Sequence, residues 1–188
     1  MIKVCLIGAS GTGKSTIAQK IAEEFDDVTI SPSFGRQVKE WGINISEMGG
    51  CETNLATLSL LVSDFHKQDT NCAIKVYPRS FLDGIVFSEM ISEESTSGFE
   101  SVGTKDALLS IWKAAYGKYK DQYDVFFYLP IEFKIEDDGV RPTDEKFNEL
   151  YDKSLNFWME RFNIKPITLR GGVEERMKVV KEELCKLL

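Results

Sequence analysis

The chain has 188 residues, 43% hydrophobic and 28% charged, which suits one soluble globular domain, or one domain with a small insert. A formal net charge of −7 argues against a protein that coats nucleic acid through clustered Lys and Arg, while leaving room for a local basic cleft. Four scattered cysteines without a C-x-x-C pair, a lone His66 and no apolar run of about eighteen residues argue against a disulfide framework, a zinc centre, a Ser-His-Asp hydrolase and a membrane span.

The first element is the apolar run IKVCLI from Ile2, a strand, followed at once by a glycine-rich loop and an amphipathic helix with Ile17, Ile21, Ala22 and Phe25 on one face. The N-terminus is too short before that loop to be a signal peptide, so a cytoplasmic protein with four buried thiols is expected. A second strand, VTI, starts at Val28, and a helical pattern with Leu55, Leu58, Val62 and Phe65 follows later. The third strand is AIKVY from Ala73, after which Ser80 and Asp83 form an S-x-x-D capping box that opens a helix. Ser92 to Thr104, rich in Ser, Glu and Gly, reads as a mobile surface loop.

The fourth strand, DVFFYL from Asp124, is apolar without alternation, as in a parallel strand covered on both faces. The mixed-charge segment 130–143 joins it to a long helix with Phe147, Leu150, Tyr151, Leu155, Trp158 and Phe162 on one side. PITL from Pro166 gives a fifth strand, and Val173, Met177, Val180, Leu184 and Leu187 mark a final helix. This alternation predicts a single α/β domain over 1–188, a five-stranded parallel sheet with helices on both faces.

The chemistry sits in the first loop. Gly8, Gly11, Gly13, Lys14 and Ser15 stand on the spacing G-x-x-x-x-G-K-S between strand and helix. The glycines let successive backbone N–H groups turn inward onto phosphate oxygens, Lys14 brings a cation to the β- and γ-phosphates, and the Ser15 hydroxyl is placed to ligate magnesium. Residues Gly8, Ala9, Ser10, Gly11, Thr12, Gly13, Lys14, Ser15 and Thr16 are the expected contacts to ATP. No N-K-x-D or well-placed D-x-x-G marks a GTPase, and no acid ends an apolar strand as in motor ATPases, so the pattern points to a small-molecule kinase.

The segments SPSFGRQVKEWG, YPRSFLDGIVFSE, DVFFYLP with EDDGVRPTDEKFNELYD, and ITLRGGVEER occur in an order that resembles the nicotinamide-riboside-kinase-like AAA-type ATPase/kinase family of bacteria and phages, across nearly the whole chain. The resemblance implies a three-layer P-loop nucleoside-triphosphate hydrolase fold and a lid-like segment over 130–143. Its D-G-x-R motif, here Asp138 to Arg141, would turn Arg141 to the phosphates. It also implies roles for Arg79 and Asp83, which match the family's D-R-S-x-x-D pattern, and a substrate-side role for Arg36. Gly171 and Gly172 lie where related kinases wrap backbone around adenine, or simply form the turn before the last helix. The chain departs from the family at Ser33 and Pro78, where acids usually stand, which leaves Asp83 as the best candidate to take a proton or hold a magnesium water.

Three functions follow as expectations. The first is transfer of the γ-phosphate of ATP to a nucleoside- or nucleotide-like small molecule, with Lys14, Arg79, Asp83 and Arg141 catalytic, Arg36 and Arg79 on the acceptor, and Mg2+ on Ser15. The second is phosphorylation of a hydroxymethylated pyrimidine within DNA, which requires Arg36, Lys39, Lys75 and Arg79 to line one groove. The third is a nucleotide-dependent switch or ATPase.

Overall fold

The computed structural model describes residues 1–43, 51–67, 71–90, 104–133 and 145–188. Its elements are β1 (Ile2–Ile7), α1 (Lys14–Glu24), β2 (Val28–Ile30), α2 (Phe34–Glu40), α3 (Cys51–His66), β3 (Ile74–Tyr77), α4 (Phe81–Met90), α5 (Thr104–Tyr119), β4 (Val125–Tyr128), α6 (Glu145–Arg161), β5 (Ile167–Thr168) and α7 (Val173–Leu187). They fall into two compact units. Met1–Ser31, Asp69–Arg79 and Gln122–Leu188 form the first, and Pro32–Gln68 with Ser80–Asp121 form the second.

The first unit holds the whole sheet, in the order β2-β3-β1-β4-β5 with every pairing parallel. β1 lies at the centre, and Val4 to Ile7 have no exposed surface, which explains why its sequence does not alternate. Ile17, Ala18 and Ile21 of α1 and Met177, Val180 and Leu184 of α7 form a continuous core with Val4, Leu6, Val76 and Phe127 of the sheet. Because β1 runs directly into the glycine loop, this core fixes the base of the loop.

The second unit is helical. Phe81 of α4 stacks on Tyr119 of α5, with ring centroids 4.7 Å apart, and Phe65 of α3 meets both rings. His66 shares a 2.8 Å hydrogen bond with the Tyr119 hydroxyl, so the sole histidine takes part in packing here. At Gly84 a Cβ would lie 2.2 Å from the Trp112 ring, so glycine is what lets α4 and α5 approach.

The five strands match their sequence assignments closely. Four details differ. On α3 the buried residues are Thr53, Asn54, Leu61 and Phe65, while Leu55 is exposed, because an apolar stripe this broad does not reveal which edge faces inward. On α6 Asn148 is buried and Leu150 exposed, for a reason given below. The cysteines are free, but Cys5 alone is buried; Cys51 and Cys72 are half-buried and Cys185 is exposed. Helix α5 has no counterpart among the helices read from periodicity. No helix among the described residues is long and apolar enough to cross a membrane.

Candidate phosphate-binding site

Between β1 and α1 the backbone takes left-handed dihedrals at Gly8 (φ 150°), Gly11 (φ 77°) and Gly13 (φ 94°). Gly13 is the N-cap of α1 and provides no side-chain cap, so the first amides of the helix stay directed into the loop with the positive end of its dipole. Lys14 is buried, and its Nζ donates to the carbonyls of Gly8 at 2.7 Å and Ala9 at 2.5 Å. The Thr12 hydroxyl donates to the Ala9 carbonyl at 3.0 Å. Ser15 and Thr16 are exposed on the first turn. An ammonium folded over its own loop, a ring of backbone donors and an exposed hydroxyl make a cradle for a phosphate chain and its counter-ion.

One side of the cradle is built by the start of α7. Arg176, 3% exposed, donates from Nη1 to the Thr12 carbonyl at 2.7 Å and from Nη2 to Glu132 Oε2 at 2.9 Å. Glu132 also accepts the Gly171 amide at 2.9 Å and Arg170 Nη1 at 3.2 Å. Desolvation works to raise the Glu132 carboxyl, but the bonds from Arg176, Gly171 and Arg170 together outweigh it and hold it below the ordinary range. The Gly172 amide donates to Glu175 Oε2 at 2.8 Å. Gly171 has φ 79°, and a Cβ there would meet Glu175 Oε2 at 2.1 Å. The two glycines therefore form the turn that opens α7. They also line, with Gly11 to Gly13, Thr16 and Phe133, a cavity of about 210 Å³ beside the loop.

The other side is α6. Asn148 Oδ1 accepts the Ser10 amide at 3.1 Å, so a buried polar residue docks this helix on the loop. That is why the buried face of α6 includes Asn148 while Leu150 is left outside. The Tyr151 hydroxyl accepts from Arg79 Nη1 at 3.4 Å. At the end of β4, the Tyr128 hydroxyl donates to Asp152, 2.8 Å from Oδ1 and 2.9 Å from Oδ2, and accepts from Asn156 Nδ2 at 3.1 Å. Burial pushes the Tyr128 hydroxyl up to about 12. Neither Asn148 nor Asp152 stands out in the sequence, because the period of α6 marks only its apolar face.

Lys14, Ser15 and Arg79 belong to the first unit, whereas Arg36 and Asp83 belong to the second. Arg36 is exposed on α2. Asp83 is buried, and its Oδ2 accepts the Ser80 amide at 2.7 Å, the bond that an S-x-x-D capping box takes from its acid, and the Ser80 hydroxyl at 2.9 Å. Lys75 is fully buried on β3, so it does not line a surface groove as the DNA reading requires. Arg141, the 92–104 loop before Thr104 (which begins α5) and residues 134–143 of the lid-like segment lie outside the described residues.

A five-stranded parallel sheet of order 2-3-1-4-5 with a glycine-Lys-Ser loop after its central strand defines a P-loop protein with the three-layer fold of nucleoside and nucleotide kinases. The profile of the AAA domain family matches residues 3–176, and the chain belongs to that family, as the sequence resemblance implied. No curated protein matches the chain. Among solved structures, a deoxyadenosine kinase from M. mycoides with products bound is similar at 12% identity and TM-score 0.61, each chain covered in full. NadR protein in complex with NR is similar at 11% identity and TM-score 0.72, over 90% of this chain and 44% of that one. Thymidylate kinase from Candida albicans is similar at 13% identity and TM-score 0.64, over 98% of this chain and 91% of that one.

Proposed function

We propose that the protein is an ATP-dependent kinase that transfers the γ-phosphate to a nucleoside- or nucleotide-like small molecule. The observation that carries this reading is the cavity lined by Gly11, Thr12, Gly13, Thr16, Ile17, Gly171, Gly172 and Val173 beside the phosphate cradle, which leaves room for a flat base next to a phosphate chain. The kinases among the structural neighbours support it.

The loop amides and the α1 N-terminus hold the phosphates, which replace the Gly8 and Ala9 carbonyls as partners of Lys14. The base lies against Gly171, Gly172 and Phe133. The exposed Ser15 hydroxyl would hold magnesium, which would offset the charge of the phosphate oxygens. Arg79, tied to Tyr151, serves the acceptor, and Arg141 supplies a further cation to the phosphates. With positioning and electrostatics carrying most of phosphoryl transfer, the acids missing at Ser33 and Pro78 leave the chemistry intact.

The test is incubation with γ-labelled ATP and magnesium against nucleosides, nucleoside monophosphates, and duplex oligonucleotides with and without hydroxymethylated bases. Label is expected in a small molecule, and Lys14→Ala should abolish it while keeping the fold. Label confined to the modified duplex would assign the protein to DNA, and unlabelled pools with free phosphate released would make it an ATPase.

A further inference from the structure

One buried guanidinium stands between the phosphate loop and the cavity beside it, and the groups it meets all lie in the first unit. Arg176 Nη1 is 2.7 Å from the Thr12 carbonyl, and a Cβ on Gly13 would lie 3.2 Å from the same nitrogen. Its Nη2 donates to Glu132 Oε2, which also accepts the Gly171 amide. Its Cζ lies 5.4 Å from the centroid of the Phe133 ring, a ring that is itself 56% exposed. Phe133 and Gly171 are both walls of the 210 Å³ cavity, and Arg176 lines it together with Thr12 and Gly13. The Arg176 Nε is buried with no hydrogen-bond partner among the described residues, so the guanidinium is held by its two Nη groups and one ring face. A rigid planar fork held at so few points moves as one body, and what steadies the ring or the Gly171 turn is felt at the Thr12 carbonyl.

We propose that Arg176 is a positioning residue that couples the base cavity to the phosphate loop, so that a base and a phosphate chain each bind more tightly in the presence of the other. This inference rests on the reading of the loop and its cavity as a nucleotide site. A flat base set against Phe133 and the Gly171–Gly172 turn steadies both walls and excludes water from the cavity that Arg176 lines. Hydrogen bonds at the edge of a dry cavity strengthen as the local dielectric falls. The bonds concerned are those of Arg176 to Glu132 and to the Thr12 carbonyl, and the second fixes the loop one residue before Gly13. The loop amides are then held in the orientation that phosphates need. Phosphates on those amides in turn order the loop, and through Arg176 they order Glu132 and the Gly171 turn, so the base meets a wall already set. Both effects are one coupling free energy, equal in the two directions.

Calorimetric titration of the full chain with tripolyphosphate and magnesium, with and without saturating adenosine, tests this, and ATP is titrated alongside. In wild type adenosine should tighten tripolyphosphate binding about fivefold, and tripolyphosphate should tighten adenosine binding by the same factor. Arg176→Met removes the fork and should abolish the tightening in both directions. Arg176→Lys keeps the charge but cannot hold two partners in one plane, so it should lose the coupling as well, and it serves alone should the Met variant unfold. Leu184→Ala weakens the buried face of α7 without touching Arg176 or its partners, and it should keep the wild-type factor, which separates positioning from plain stability. No tightening in wild type, or the wild-type factor retained in Arg176→Lys, overturns the proposal, while binding of ATP in the same experiment keeps the nucleotide reading standing. Loss of the factor in Leu184→Ala to the same extent assigns the effect to the stability of the helix and overturns the proposal too. Failure of wild type to bind ATP and tripolyphosphate alike overturns the nucleotide reading and this inference with it.

Discussion

At Gly8 the loop admits no side chain. A Cβ there would sit 2.4 Å from the Leu129 carbonyl oxygen and 3.0 Å from Thr12 Oγ1, with φ at 150°. The Leu129 carbonyl cannot withdraw, because the same residue's amide is bonded to the Ile7 carbonyl at 2.9 Å and ties β4 to β1. Gly8→Ala must therefore move the loop, and it should lower stability by about 1–3 kcal/mol and weaken ATP binding together. Gly35 on α2, where a Cβ meets nothing within 4 Å, is the control, and Gly35→Ala should be neutral or slightly stabilising. Urea denaturation of both variants checks the pair. Equal stability in Gly8→Ala and wild type would mean that the loop yields easily.

At the scale of elements, Glu132 is the joint among the end of β4, the turn before α7 and, through Arg176, the loop itself. Its pair with Arg170 is exposed on the arginine side, where such a bridge contributes little. The arm that matters is Arg176, 3% exposed, whose loss of partner would leave a buried cation poorly compensated. Glu132→Gln should destabilise the protein by about 1–3 kcal/mol at pH 7. The folded carboxyl is held below its ordinary value of 4.5, so its contribution is present above that value and is lost as pH falls through the lower folded one. The gap between wild type and Glu132→Gln, followed by denaturation across pH 7 to 3, should close at the acid end. A gap that stays constant would assign the effect to shape alone. The strands and the phosphate loop were legible in the sequence because burial on both faces and the glycine spacing leave little choice of structure. Glu132, Arg176, Asn148 and Asp152 were not, because each acts on a partner at least 24 residues away, and sequence period records only which face is apolar. The capping box at Ser80 was legible for the opposite reason, since both partners lie within one turn.

For the whole molecule, the charge of −7 and the buried Lys75 weigh toward a small polyanion held by a few fixed donors and against a nucleic-acid strand held by many mobile cations. The consequence is measurable as ligand-linked stability. A ligand that binds the folded state alone, present at one hundred times its dissociation constant, adds about 2.7 kcal/mol. For a chain of this size that amounts to a rise of about 5–10 °C in melting temperature. ATP with magnesium should give a shift of that order in wild type. Lys14→Ala should show a much smaller one, because the ammonium now on the Gly8 and Ala9 carbonyls, which the proposed function turns to the phosphates, is gone. Unmodified duplex DNA at physiological salt should give none. A DNA-induced shift that fades steeply with added salt would show that cations outside the loop meet the ligand, and would favour the DNA substrate over the free one.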